Sequence, residues 1–262
     1  MQQTVHLSID DVELLFLDLI LKGADYNSVF KSPLLKYLRK LHIRYNAAFT
    51  LFGYADIGGH SISEIPVKFS SEFRENASWI KFGFHWISGK RYDPSTHDDM
   101  VVKACEEYYN AVRKFASEEN ISDYIRLHYF HPSPTLTERL ATLPHWRPDT
   151  VFLCADSRNR LSYDLTDSEC SSLQEVRVIS KPGRKYIPTD IRMETHDGNL
   201  SYFMGYPFLT VFTHEWILCD YPDYQQSNSL KGLLARKYHI FKNRQKWNRL
   251  IRQMSRNNCR FL

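Results

Sequence analysis

Two adjacent carboxylates, Asp10 and Asp11, directly follow the short apolar run at residues 5–9. Successive side chains on a strand point to opposite faces, so neighbouring acids at a strand end can divide labour, one holding a metal ion and the other taking a proton. The competing reading makes one of them the cap of a helix starting near Val12. Similar polar residues recur further on. His85 follows the run 80–84, where Gly83 lets the strand bend or pack closely, and its neutral imidazole suits either a divalent metal or a structural hydrogen bond. In 124–130, Arg126 and His128 share a face by the two-residue repeat, with His131 just beyond. Asp156 follows 150–155.

His214 and Glu215 follow the run 208–212. Position 218 is leucine, so this is not the HExxH helix of a zinc protease. A histidine there can protonate a leaving group, with the adjacent acid to orient it, or it is a surface-turn residue. Asp190 and Glu194, near a sixth apolar stretch at 186–193, are either at the site or in a turn and an ion pair with Arg192.

The elements carrying these residues alternate. Short apolar strands at 5–9, 47–52, 80–84, 124–130, 150–155, 186–193 and 208–212 are separated by amphipathic stretches at 12–22, 33–45, 63–79, 98–116 and 135–142. Strand and helix in alternation indicate an α/β fold with a parallel sheet. Neither GxGxxG nor a P-loop occurs, which favours a distorted or incomplete (β/α) barrel of about seven strands over a nucleotide-binding open sheet. In such barrels the strand C-terminal ends meet on one face, where all the residues above would converge.

With 43% hydrophobic and 24% charged residues, the 262-residue chain can bury a large core, and nothing marks a second domain within 1–262. The longest apolar run, 14–21, is broken by Asp18 and too short to span a membrane. The opening residues lack the basic and apolar regions of a secretory signal, so a cytoplasmic location is expected. Five scattered cysteines without a CxxC pair suggest neither a disulfide framework nor a thiolate zinc site. Net charge is +4, yet Ser229 onward holds ten Lys or Arg and no acid, leaving −6 for the first 228 residues. Apolar residues from Leu230 to Met254 recur at helical spacing, so a basic helix at about 229–257 is expected to pack on the barrel, and a nucleic-acid partner is not expected.

The series Ser8-Ile9-Asp10-Asp11, His85, Arg126, Asp156 and His214 resembles the polysaccharide deacetylases of carbohydrate esterase family four, over roughly residues 5–216. The family opens on Thr-Phe-Asp-Asp, so the resemblance implies that Asp10 is the base and Asp11 a metal ligand. A second signature has two metal histidines four residues apart; His85 is similar to the first, but position 89 is glycine. His128, His131 or His97 then stand as replacements, and the implied ligand set is Asp11, His85 and His128. Arg126 resembles the strand-four arginine, without the usual Pro-x-Gly after it, Asp156 the acid of the fourth signature, and His214 the histidine that serves as general acid. The resemblance implies a divalent metal, zinc by preference, and N-deacetylation of an acetylated carbohydrate or related small molecule. The alternative is an inactive carbohydrate-binding or scaffold protein of the same fold, with Trp86, Tyr129, Phe130 and Trp216 stacking on sugars.

Overall fold

A computed structural model describes residues 2–89, 96–131, 133–143, 150–155, 162–203, 205–221 and 229–262. Its principal strands are β1 (Thr4–Val12), β2 (Phe49–Ile57), β3 (Ile80–Ser88), β4 (Tyr124–Ile125), β5 (Val151–Leu153), β6 (Arg184–Ile187), β7 (Ile191–Arg192) and β8 (Phe208–His214). The helices that matter here are α1 (Leu14–Lys22), α2 (Pro33–Tyr45), α3 (Asp98–Phe115), α4 (Pro134–Ala141), α5 (Asp167–Val176), α6 (Glu215–Leu218) and α7 (Leu230–Arg256).

The α/β architecture expected from the alternation is the one observed. One parallel sheet runs β3, β2, β1, β8, β7, and a second places β4, β5 and β6 side by side in parallel. They meet at two places. Phe82 in β3 bridges to Ile121, whose neighbour Ser122 donates its N–H to the Phe82 carbonyl at 2.9 Å. On the other side, the single strand expected at 186–193 is broken at Pro188 into β6, paired with β5, and β7, paired with β8. Proline has no N–H to give to a ladder, which accounts for the break. The sheets face each other, with the His6 ring of β1 lying 4.1 Å from the Tyr124 ring of β4 and Phe52 of β2 packed on Leu153 and Ile187.

Helices cover the outside by their apolar stripes. In α2, Leu34, Leu35, Leu38 and Leu41 are buried, Pro33 opens the helix, and Asn46 closes it in the left-handed conformation. In α3, Asp98 and Asp99 begin and Arg113 and Lys114 end the helix, as its dipole favours. The stretch 63–79 is not the single helix expected: Pro66 disfavours helical backbone at Ile65, leaving two 3-10 turns and the short helix Ser70–Glu75. No helix among the described residues is long and apolar enough to cross a membrane.

Candidate metal centre and active site

Asp10 and Asp11 separate at a bulge. The β1–β2 register shifts between Ile9 and Val12, and Asp11 takes a φ of 56°, a left-handed conformation uncommon for any residue but glycine, asparagine or aspartate. Asp10 keeps its place opposite His214 of β8 and stays buried, where its Oδ2 accepts from Arg126 Nη1 at 3.1 Å. The Arg126 guanidinium rests 4.4 Å from the Phe212 ring, and Asp10 Oδ1 has no hydrogen-bond partner among the described residues. Neither aspartate caps α1. That task falls to Glu215, whose carboxylate accepts from Leu14 N at 2.7 Å and Leu15 N at 2.8 Å.

Asp11 turns into the cleft. Its Oδ1 lies 3.3 Å from His85 Nε2 and 3.5 Å from His128 Nδ1, and it accepts a short hydrogen bond from the Tyr54 hydroxyl. His85 Nε2 and His128 Nδ1 are 3.1 Å apart. The β2–β3 register also shifts beside Tyr54, so Tyr54 and His85 leave regular alternation at the level of Asp11. His128 arrives differently from the expected strand face. β4 ends at Ile125, and the chain turns through His128–Phe130 with Tyr129 and Phe130 both at positive φ.

Hydrogen-bond chemistry makes this cluster a fit for a cation. His85 Nδ1 sits 2.6 Å from the Arg126 carbonyl, which can only accept, so Nδ1 carries a hydrogen and Nε2 is the nitrogen turned to Asp11 and His128, where it can hydrogen-bond to Asp11 or give its lone pair to a cation. A carboxylate oxygen and imidazole nitrogens converging this closely repel unless a proton or metal ion lies between them. Their ligand atoms all fall within 4.8 Å of one another, and one carboxylate with two imidazoles is a donor set suited to zinc and related divalent ions. Burial favours the protonated form of Asp11, but the His85 hydrogen bond and the charges of His85 and His214 prevail and hold its carboxyl well below the usual range. Burial, reinforced by the His85 charge, lowers His128 to about 4, which keeps it neutral and able to ligate.

His214 stands on the other side of Asp11, its Nε2 3.8 Å from Oδ2. Its Nδ1 lies 2.7 Å from Glu194 Oε1, an oxygen that also accepts from the His214 backbone N–H at 3.0 Å. Burial opposes the charged imidazole, yet the Glu194 hydrogen bond and the Asp10, Glu194 and Asp11 charges raise its pKa. Glu194, with Arg192 Nε 3.3 Å from its other oxygen, is thus the acid that orients His214. The expected orienting acid, Glu215, is committed to α1.

Other candidates lie elsewhere. His131 is buried 5.2 Å from the Trp86 ring, outside the cluster, and Trp86 is buried too. His97 flanks the start of α3. Asp190 pairs with Arg177 at 2.5 Å and accepts from Thr210 N at 2.8 Å, a tie between β7 and β8. Asp156 lies outside the described residues. Tyr54 was not singled out by sequence; its signal is a phenol near the end of the second strand. The cleft, about 360 Å³, is lined by Asp11, Tyr54, Gly89, His128 and, at its rim, the exposed rings of Tyr129 and Trp216. A Cβ at Gly89 would meet Glu13 Oε2 at 3.0 Å and Tyr54 at 3.3 Å.

No family model matches the chain, and no curated protein matches it. Among solved structures, it aligns with a peptidoglycan N-acetylglucosamine deacetylase at 10% identity and a TM-score of 0.44, covering 99% of this chain and 85% of that one. It also aligns with a mutant CE4 family pseudoenzyme with restored enzymatic activity, at 10% identity and a TM-score of 0.34, covering 94% of this chain and 64% of that one.

Proposed function

We propose that this chain is a metal-dependent hydrolase of C–N amide bonds that removes the acetyl group from an N-acetylated carbohydrate or a related small molecule. The observation that carries this reading is the convergence of Asp11 Oδ1, His85 Nε2 and His128 Nδ1, with a buried carboxylate and an oriented imidazole on either side. A divalent ion on these three residues, zinc by its donor set, would supply Lewis acidity to the amide carbonyl and lower the pKa of water toward 7. Asp10, held by Arg126, takes the proton of the attacking water on its unpartnered oxygen. His214, its charge supported by Glu194, gives a proton to the departing nitrogen as the C–N bond breaks, so acetate and a free amine result. Tyr129 and Trp216 offer stacking faces to sugar rings.

The test couples metal content to turnover. Protein purified without chelator should carry about one divalent ion per chain and release acetate from N-acetylated saccharides, and the Asp11→Ala/His85→Ala double variant should lose both. Unchanged metal content in the double variant would sink the proposal. Carbohydrate binding without turnover is the second reading, favoured by Gly89 where the resembled family has a histidine. Saccharide binding without acetate release, in metal-loaded protein, would select it.

A further inference from the structure

The basic helix α7 packs over only half of its length. Its 27 residues span about 40 Å at 1.5 Å each. Trp247, Leu250, Ile251 and Met254 are buried in its second half, whereas in the first half Ile240 is the buried apolar residue among those described. Leu234, Tyr238 and Phe241 fall on one helical face and are 58–59% exposed. Cations surround this ridge, with Lys242 Nζ 4.8 Å from the Tyr238 ring.

The ridge continues into α2. A cleft of about 570 Å³ between the two helices is lined by Phe241, Lys237 and Arg244 from α7 and by Lys36 and Lys40 from α2. Its acid, Asp220, has Arg236 Nε at 3.4 Å. A neighbouring hollow along α2 adds Arg39 and Ile43, the latter 74% exposed.

We propose that this apolar ridge and its cationic flanks form a docking surface for anionic phospholipid bilayers. A second copy of the chain docking by the same face would bring cations against cations. Nucleic acid would take the cations but leave Leu234, Phe241 and Ile43 without an apolar partner. A bilayer answers both features, because anionic headgroups attract Lys and Arg while apolar side chains enter the acyl boundary and the Lys stems lie along it. The placement is directional. Arg244 Nε donates to the Leu218 carbonyl at 2.5 Å and Lys246 Nζ to the Glu194 carbonyl at 3.4 Å, whereas beyond α7 Arg260 N donates to the Gln3 carbonyl at 2.9 Å. The unpacked half of α7 therefore lies toward the domain end that carries the cleft, and docking there is independent of the reading of the metal cluster.

Sedimentation of the full chain with vesicles tests this surface. The protein should pellet with phosphatidylcholine vesicles containing roughly a third phosphatidylglycerol, not with phosphatidylcholine alone, and added salt should release it. Lys36→Glu/Lys40→Glu should weaken the partition by more than about fivefold per position. Leu234→Ser/Phe241→Ser should weaken it by about tenfold or more. These side chains are exposed, so the melting temperature of each variant should stay at the parent value. No pelleting of the parent protein on the anionic vesicles overturns the proposal. So does full retention of vesicle binding by the Leu234→Ser/Phe241→Ser variant, and duplex DNA bound as tightly in that case would identify a nucleic-acid surface instead.

Discussion

Glu194 Oε1 and His214 Nδ1, twenty residues apart in the chain, meet at 2.7 Å, and that contact leaves Nε2 as the nitrogen facing Asp11. Glu194→Gln keeps the size of the side chain but removes its charge, so the imidazolium loses its closest support. Turnover should fall by about 10- to 100-fold with KM little changed. Glu194→Asp should recover part of the loss. A variant with parental kcat would show that Glu194 only shapes the loop.

In the proposed metal set, His128 is the member that distinguishes this cluster from a pair of histidines on one strand. His128→Ala should lower bound metal from about one ion per chain toward zero, while the buried Asp10–Arg126 pair and the fold persist. Chelator dialysis of the parent should abolish acetate release, and added zinc should restore it. Mass-spectrometric metal counting reads the first expectation and a coupled acetate assay the second.

His6, buried between the sheets with Nε2 3.0 Å from Thr50 Oγ1, should contribute to acid sensitivity. Burial first, then the Arg126 charge, lowers its pKa from 6.5 to about 3. Between these values the unfolded chain binds a proton that the folded chain refuses, so stability falls as pH drops below 6.5, by about 1.4 kcal/mol per pH unit. Urea unfolding at a series of pH values should show a slope that includes this contribution beside that of His128, and His6→Gln should reduce it by about that amount. A slope identical in the two proteins would refute the assignment.

Gly83 and Gly89 should respond differently to alanine. A Cβ at Gly83 would stand 2.3 Å from the Phe52 ring, inside the packed interior, so Gly83→Ala should cost about 1–3 kcal/mol. At Gly89 the nearest atom is the mobile end of Glu13, 3.0 Å away, so Gly89→Ala should cost well under about 1 kcal/mol. Denaturant midpoints compare the two directly.

The positions of Asp10, Asp11, His85 and His214 were legible because each ends an apolar run, and parallel strands bring such ends to one face. Their directions were not. Regular alternation cannot foresee a bulge, and it is the shifted register with Asp11 at φ 56° that sends one carboxylate to Arg126 and the other to the histidines. His128 was expected from a strand face but reaches the cleft from a turn, and Glu194 displaces Glu215 as the partner of His214, Glu215 being held by the N–H groups that open α1. Both outcomes depend on contacts between distant segments, which local pattern does not carry.

The strand that bears both aspartates has β2 on one side and a late arrival on the other. β1 lies beside β8, more than 190 residues downstream, and Thr4 and Val5 also pair with Arg260 and Phe261. During synthesis, then, Asp10 leaves the ribosome long before its β8 partner His214, and it can be fixed in place only after that strand has followed. Contacts of such long sequence separation slow folding and keep apolar strands exposed meanwhile. β1 waits for β8, so the cleft between them takes shape only after that long-range pairing has formed.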